Sequence, residues 1–190
     1  MASETIRALD GITLSIKEGE RIILLGPSGS GKTTLLNCIS GLDVPTAGEY
    51  LFDGIPVTGN SEDLTTFRRK NVGYVFQFFN LLQDLTVLEN VLLIQELSGQ
   101  RDAERAKEVL RLVGLDSEID RFPSEISGGQ QQRVAIARSI AKSPKLLLGD
   151  ELTGNLDSGT SARVMEALTE ACKSENITTI MVTHDEPLAK

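Results

Sequence analysis

The chain has no tryptophan, two cysteines and one histidine, and aromatic residues make up only 4% of it. No apolar run exceeds four residues, whereas a membrane-spanning helix needs about 20. Met1 to Asp10 lack the apolar stretch of a signal peptide. Cys38 and Cys172 show no metal-ligand spacing and indicate buried thiols in a reducing compartment. Together these absences predict a cytoplasmic chain with no membrane segment of its own.

Basic charge is also scarce, with 19 Lys and Arg against 27 Asp and Glu and a net charge of −8 over 190 residues. An acidic surface argues against sequence-independent binding to a nucleic-acid backbone. Arg68-Arg69-Lys70 could contact nucleic acid or lipid headgroups. A solvated helix end that complements the helix dipole is the simpler interpretation. We therefore expect no nucleic acid partner, and the length predicts one domain, 1–190.

Short apolar runs alternate with helical patterns along most of the chain. Ile22–Leu25, Lys145–Leu148 and Ile177–Thr183 are continuous apolar or β-branched runs, and Thr34–Leu42 has a helical pattern. Strands of this kind separated by helices are typical of a parallel sheet covered on both faces. The fold class is therefore α/β. Two segments with better alternation, Ile12–Ile16 and Gly48–Asp53, predict a small antiparallel piece beside that sheet.

The middle of the chain is helical without intervening strands. The patterned segments are Thr86–Leu97, Asp102–Val113 and Gly128–Lys142. Thr86 with Glu89, and Ser127 with Gln130, fit the capping box that opens a helix. The sequence therefore predicts a helical subdomain over about 86–142, inserted into one α/β domain.

Gly26 to Thr33 match the pattern G-x-x-x-x-G-K-[ST] between a buried strand and a helix, and this segment is interpreted as a phosphate-binding P-loop. Glycines allow successive backbone N–H groups to face one phosphate, and the helix N-terminus adds a positive dipole. Lys32 would reach the β- and γ-phosphates and Thr33 would bind Mg²⁺. The alternative is a glycine-rich turn with a solvated lysine. The predicted nucleotide contacts are Gly26, Pro27, Ser28, Gly29, Ser30, Gly31, Lys32, Thr33 and Thr34.

Two acids follow the apolar run Leu146–Leu148. Asp150 is placed to hold Mg²⁺ through water, because this cation gives up its water ligands reluctantly. Glu151, where the chain leaves the strand, could accept a proton from an attacking water. Without the P-loop the two acids would be read as caps of the next helix, and with it the catalytic interpretation is favoured.

Ile126 to Arg133 read ISGGQQQR, and with this segment the chain resembles the ATP-binding domain of ABC transporters. The segment is similar to the signature motif of that family, although most members have Leu where this chain has Ile126. The residues agree with such a role, because Ser127 before two glycines would aim a hydroxyl and N–H groups at an anion. Taken alone, the motif could be an ordinary helix cap.

Three further motifs follow the family order. Gln77, after Val72–Phe76, is similar to the Q-loop glutamine, which the resemblance places on Mg²⁺ and in the link to the membrane subunit. Asn155–Asp157 resemble the D-loop, which contacts the opposite protomer. His184 resembles the H-loop histidine that reaches the γ-phosphate. A lone histidine is more often structural, but the end of a strand suits a switch residue.

The resemblance implies an α/β P-loop ATPase that works as a head-to-tail homodimer formed on ATP binding. It implies that ATP lies between the P-loop of one copy and the signature of the other. The implied residues are Lys32, Gln77, Glu151 and His184 in catalysis, Thr33, Gln77 and Asp150 on Mg²⁺, and Ser127, Gly128, Gly129, Gln130 and Asp157 on the nucleotide from the opposite copy. A separate integral membrane permease is implied as partner, with this chain peripheral at the cytoplasmic face.

Several segments are similar to the group of ABC proteins that serve lipoprotein release, macrolide or peptide export and cell division. Examples are Phe76–Leu82 and Leu85–Val91. Apolar residues crowd between Phe78 and Val91, which suggests a docking surface for the permease. Ordinary packing of the helical insertion is the alternative and is favoured for most of these side chains.

The sequence departs from the family pattern in four places. Leu152 stands where most members have Pro, which predicts a looser turn at Glu151, and Gly149 replaces a small Ala without an expected effect. The aromatic residue that stacks on adenine normally lies before Ala8, yet the first aromatic residue here is Tyr50. The chain ends soon after His184, where members continue, so the comparison with the family pattern predicts a chain that is short at both ends.

Two other classes compete with a transport ATPase. Chromosome-maintenance and repair ATPases share the P-loop and signature, but they need a long coiled coil between them, and no sustained heptad is present here. A regulatory ATP-binding module with weak turnover is the better rival, because Leu152 and the missing adenine platform could permit binding without efficient hydrolysis.

Overall fold

The computed structural model describes residues 7–154 and 156–183, and its centre is a four-stranded sheet in the order β1-β6-β5-β4. The strands are β1 Arg21–Leu25, β4 Val72–Val75, β5 Leu146–Asp150 and β6 Thr178–Thr183. Every neighbouring pair in this sheet is parallel, as the sequence predicted. Because the carboxyl ends of parallel strands meet at one edge, the segments after β1, β4 and β5 converge there.

The central strands are buried on both faces, which explains their unbroken apolar runs. Leu147 and Met181 belong to the core cluster under the helical insertion. Leu146, Leu148 and Ile180 belong to the cluster on the opposite face, which includes residues of the first helix. Successive strand residues point to opposite faces, so an alternating pattern would have left one face polar.

The described part of the chain contains six α-helices. They are α1 Lys32–Ser40, α2 Ser61–Asn71, α3 Val87–Leu97, α4 Ala103–Leu112, α5 Gly128–Ile140 and α6 Ser158–Ser174. Helix α1 begins two residues before the predicted start, so that Lys32 and Thr33 lie in its first turn. It ends at Gly41, whose φ of 74° is the left-handed conformation that glycine adopts easily after a helix.

The small antiparallel piece is present, but its partner strand differs from the prediction. Strand β2, Leu51–Phe52, pairs with β3, Ile55–Pro56. Asp53 and Gly54 form the turn between them, with φ of 52° and 75°, values typical of a two-residue hairpin. Residues 12–16 are described and form no strand. Alternation predicts which side chains share a face, but a strand also needs a hydrogen-bonding partner, and no described segment pairs with residues 12–16.

Helices α3, α4 and α5 lie between β4 and β5, where the sequence places the helical subdomain. Thr86, Asp102 and Ser127 cap their N-termini. The boundaries of a subdomain at 86–142 stay a prediction. Arg105 of α4 donates two hydrogen bonds to the Glu175 carboxylate just after α6, at 2.9 and 2.6 Å. This bidentate pair fastens the insertion to the α/β part of the chain.

A partly buried lysine should make the free energy of unfolding of this protein depend on alkaline pH. Lys142, just after α5, donates a hydrogen bond from Nζ to the Arg68 carbonyl at the end of α2, at 2.8 Å. Burial lowers the pKa of Lys142 from 10.5 to about 8, because an ammonium loses hydration in this site.

We expect the free energy of unfolding to rise with pH between about 8 and 10.5, relative to the variant Lys142→Met. In that range the unfolded chain still holds the proton that the folded chain has released, so raising the pH favours the folded state. Urea unfolding at several pH values measures the difference between the two proteins. A difference that does not change with pH would contradict this expectation.

Candidate active site

The P-loop connects β1 to α1 and is shaped by two glycines with left-handed backbone. Gly29 and Gly31 have φ of 80° and 87°, a region that a side chain would make costly. A Cβ at Gly31 would also collide with the Ala8 carbonyl oxygen. Among the described residues no side chain caps the start of α1, and the first turn of this helix holds no acid. The N–H groups of this helix start are therefore available to an anion.

Lys32 lies across this loop. Its Nζ donates hydrogen bonds to the carbonyl oxygens of Gly26 and Pro27, at 2.8 and 2.7 Å, and to Ser30 Oγ at 3.2 Å. These contacts hold the ammonium above the concave side of the loop. A phosphate bound in the loop would meet the positive charge next to the N–H groups of α1.

Thr33 and Asp150 come together although they are 117 positions apart. Thr33 Oγ1 donates to Asp150 Oδ1 at 3.5 Å, because β1 and β5 end at the same edge of the sheet. Burial raises the pKa of the Asp150 carboxyl, and the Thr33 hydroxyl and Lys32 act in the opposite direction. A hydroxyl beside a carboxylate offers the hard oxygen ligands that Mg²⁺ prefers.

Glu151 directly follows β5 and has a φ of 48°. This conformation costs a non-glycine residue about 1–2 kcal/mol, and so it must be held by its surroundings. Its N–H donates to the Val182 carbonyl at 3.0 Å, and its own carbonyl accepts from the Gly154 N–H at 3.1 Å. The sharp turn directs the chain away from the sheet immediately after Asp150.

Gln77 approaches the same turn from the end of β4. A Cβ placed on Gly154 would lie 3.3 Å from Gln77 Nε2 and 3.8 Å from Glu151 Oε2. The amide and the carboxylate therefore flank one glycine. The structure thus groups Lys32, Thr33, Gln77, Asp150 and Glu151 along the carboxyl edge of the sheet.

The ISGGQ segment opens α5. Ser127 Oγ accepts a hydrogen bond from the Gln130 N–H at 3.3 Å, and Gln130 Oε1 accepts one from the Ser127 N–H at 2.8 Å. The capping box predicted from the sequence is therefore formed. Ser127 is exposed, and its hydroxyl accepts this bond without using its own proton, which can be donated to an anion.

Gly129 allows close packing at the start of α5, whereas Gly128 has room for a Cβ. A Cβ on Gly129 would collide with the Thr160 side chain of α6. A Cβ on Gly128 would lie 3.6 Å from the ring of Phe79. Asp157 caps α6 by accepting from the Thr160 N–H at 3.0 Å, and hydrogen bonds from the Thr160 hydroxyl and N–H lower the pKa of its carboxyl. The predicted nucleotide contact Asp157 therefore has a structural role within its own chain.

The link between the signature helix α5 and the segment after Gln77 was not predicted from the sequence. Arg138 of α5 donates to the carbonyl oxygens of Phe79 and Asn80, at 2.9 and 2.6 Å. Burial lowers the pKa of its guanidinium. The available signal was a charged residue within the apolar sequence of α5, between Ala137 and Ile140. Such a residue usually donates hydrogen bonds to buried backbone carbonyl oxygens that would otherwise lack a donor.

Leu152 stands where the sequence predicted a looser turn at Glu151, and that looseness stays a prediction. Leu152 is only 5% exposed and packs in the main core cluster. Its side chain therefore contacts the core directly after the turn at Glu151.

Two predicted positions lie outside the described residues. His184, proposed to reach the γ-phosphate, follows the last described residue, and Asn155 of the predicted D-loop falls in the gap. Within residues 7–154 and 156–183, no group of three or more His, Cys, Asp or Glu could hold a metal ion. Any cation here would need oxygen ligands from phosphate and water besides those of the protein.

A family model described as ABC transporter matches residues 9–154, from before the P-loop to just beyond Glu151. The chain belongs to the ABC transporter family. It is an ATP-binding subunit of that family and an ATPase. This confirms the resemblance and the ATPase prediction made from the P-loop and the signature.

Curated relatives support the same family. The chain is 49% identical over 188 residues to ABC transporter H family member 2 of Dictyostelium discoideum. The alignment covers 96% of this chain and 37% of that protein. It is 45% identical over 188 residues to the lipoprotein-releasing system ATP-binding protein LolD of Syntrophus aciditrophicus, and the alignment covers 97% of this chain and 84% of that protein. The macrolide export ATP-binding/permease protein MacB of Syntrophobacter fumaroxidans is 44% identical to the chain over 191 residues, and the alignment covers 97% of this chain and 27% of that protein. This ABC ATPase thus spans less than half of two of these relatives.

A solved structure has the same fold. The dimeric post-hydrolysis state of the ATP-binding cassette MJ0796, bound to ADP and Pi, superposes with a TM-score of 0.86 at 42% identity. The match covers 100% of this chain and 85% of that one; MJ0796 is a protein of Methanocaldococcus jannaschii. The α/β P-loop fold predicted from the sequence is confirmed. No helix in the described part of this ABC ATPase is long and apolar enough to cross a membrane.

Proposed function

We propose that this ABC ATPase binds ATP on the P-loop, hydrolyses it with Glu151 as general base, and transmits the resulting opening and closing of a homodimer to a membrane permease. The observation that carries this proposal is the 3.5 Å approach of Thr33 Oγ1 to Asp150 Oδ1, with Glu151 next in the chain. That approach brings phosphate-binding and proton-accepting groups to one edge of the sheet.

The hydrolytic step follows from these positions. N–H groups at the start of α1 and the Lys32 ammonium bind the β- and γ-phosphates and stabilise the negative charge that develops on them. A water held by Glu151 attacks the γ-phosphorus in line with the bond to the leaving ADP, and the Glu151 carboxylate takes the proton of that water. Gln77, which flanks Gly154 with Glu151, orients this water. In our proposal His184 contacts the γ-phosphate.

Thr33, Asp150 and Gln77 are the residues that would hold Mg²⁺. Their hydroxyl, carboxylate and amide oxygens fit a small hard cation that keeps several water ligands. When bound, the cation would neutralise charge on the β- and γ-phosphate oxygens.

The ATP site is proposed to be shared between two copies of the chain. No hydrogen bond joins the P-loop to residues 127–130 within the described part of one copy, although both segments are suited to bind an anion. A symmetric head-to-tail dimer would place the signature of each copy on the nucleotide of the other. Ser127, Gly128, Gly129, Gln130 and Asp157 are the residues proposed to act on that opposite nucleotide. The dimeric assembly of the related MJ0796 cassette supports this arrangement.

The permease partner is proposed to dock near the exposed apolar residues after β4. Phe78 is 68% exposed and Leu82 is 49% exposed, whereas Leu81, Val87 and Val91 are buried in the core. The surface available for docking is therefore narrower than the whole of 78–91. A permease at this surface would place the chain at the cytoplasmic face of the membrane, and the permease part of the related MacB protein supports such a partner.

A charge placed at Ser127 tests the shared site. We expect Ser127→Asp to lower the ATPase rate by more than about tenfold, because a carboxylate would face the γ-phosphate of the opposite copy. ATP affinity at low protein concentration, measured by calorimetry, should stay within about threefold of the original protein, since Ser127 does not touch its own P-loop.

Ser127→Asn is the matched control, because Asn and Asp cap helices equally well and differ here only in charge. Ser127→Asn should retain more activity than Ser127→Asp. The specific ATPase activity of the unmodified protein should also rise with protein concentration, as expected for a dimer. Equal rates for both variants together with constant specific activity would contradict a shared site.

A further inference from the structure

Gly149 and Leu152 flank the two acids Asp150 and Glu151 at the end of β5. The two flanking residues contact each other, and neither has a role in the proposed hydrolysis. A Cβ built on Gly149 would lie 2.9, 3.0 and 3.1 Å from Cδ1, Cγ and Cδ2 of Leu152. Carbon atoms in ordinary contact are about 3.5–4.0 Å apart. The Leu152 side chain therefore fills the space that any side chain at position 149 would need.

The glycine is required here for space and not for its backbone conformation. Gly149 is absent from the residues with positive φ, whereas Glu151 has a φ of 48°. Gly149 is also paired with Val75 and Met181 in the middle of the parallel sheet, where other residues fit the backbone equally well. Its missing side chain is what allows Leu152 to fold back over the end of β5.

Leu152 is held firmly in this position. It is 5% exposed and belongs to the main core cluster. It lines a small cleft with Ile23, Met165 and Met181, which come from β1, α6 and β6. A side chain enclosed by three elements cannot move aside without disturbing the core.

We propose that Gly149 and Leu152 form a matched steric pair that sets the direction of the Glu151 carboxylate, with Leu152 as a positioning residue for hydrolysis. Asp150 and Glu151 are the only residues between the two partners, so a shift of Leu152 is transmitted to a turn that is already held in a strained conformation. The inference rests on the proposed role of Glu151 as general base.

A double-mutant cycle with Gly149→Ala and Leu152→Ala tests the pair. We expect Gly149→Ala to lower kcat by about tenfold, with KM for ATP within about twofold, because the base shifts while the P-loop is untouched. Leu152→Ala should also lower kcat, since the turn loses its anchor. The double variant should turn over at least as fast as Leu152→Ala, because the methyl group at 149 no longer meets a leucine and fills part of the space left by it.

The measurement is kcat per ATP-binding site, with sites counted by calorimetry, so that loss of folded protein does not count as loss of catalysis. Wild-type kcat in Gly149→Ala, or effects that simply multiply in the double variant, would overturn the pair. If Gly149→Ala does not fold, the comparison of Leu152→Ala with the double variant still tests the pair. A lower kcat in the double variant than in Leu152→Ala would overturn it.

A failure of this inference differs from a failure of the proposed function. Undiminished hydrolysis in Glu151→Gln would show that Glu151 is not the general base, whatever the result of the double-mutant cycle. Loss of hydrolysis in Glu151→Gln, with wild-type kcat in Gly149→Ala, would overturn the steric pair alone.

Discussion

Replacing Glu151 by Gln should reduce ATP hydrolysis by more than about 100-fold, the usual contribution of a general base. The amide keeps the shape of the side chain but cannot take the proton of the attacking water. Nucleotide affinity should stay within about threefold of the original protein, because the Glu151 side chain is not part of the phosphate-binding loop. Phosphate release measures the first quantity and calorimetry the second.

The same variant should remain dimeric in ATP. If ATP binds the closed dimer preferentially and hydrolysis removes that preference, a protein that cannot hydrolyse ATP stays closed. Size-exclusion chromatography of Glu151→Gln with and without ATP would show the dimer only in the presence of nucleotide. The exposed Glu166 on α6 supplies the control, since Glu166→Gln makes the same chemical change outside the site. Full turnover in Glu151→Gln would assign the base to another residue.

Replacing Lys32 by Ala should have the largest effect on nucleotide binding. Hydrogen bonds that involve a charged group contribute about 1.5–3 kcal/mol, so the dissociation constant for ATP should increase by roughly 10- to 100-fold. The substitution also removes the ties from Nζ to Gly26, Pro27 and Ser30, and a less ordered loop would bind phosphate less well.

Calorimetry with ATP measures this effect, and Lys70→Ala is the matched control. Lys70 is exposed near the end of α2, so its removal changes the net charge equally without touching the loop. If Lys32→Ala bound ATP with unchanged affinity, the assignment of Gly26–Thr33 as the phosphate-binding loop would be wrong.

Short-range rules explain which parts of the fold the sequence predicted well. The central strands were predicted to within about two residues because their unbroken apolar runs reflect burial on both faces. The capping boxes at Thr86 and Ser127 were also predicted, since a cap depends on residues only three positions apart. Ile12–Ile16 was predicted as a strand and is not one. The prediction failed because alternation does not tell whether a strand has a partner.

Local sequence determined the chemical groups of this protein: a glycine-rich turn with Lys32 and Thr33, two acids after a buried strand, and a capped, glycine-rich helix start. These patterns are readable because each depends on backbone conformations and side chains within a few positions. Tertiary structure alone decided that Arg138 holds the segment after Gln77 and that Leu152 occupies the space over Gly149. Such contacts depend on the order of strands in the sheet and on the packing of the helices across it, which no short stretch of sequence encodes. The scarcity of aromatic residues, by contrast, indicated nothing about how the site is built, because the decisive contacts are made by backbone groups, carboxylates and a single leucine.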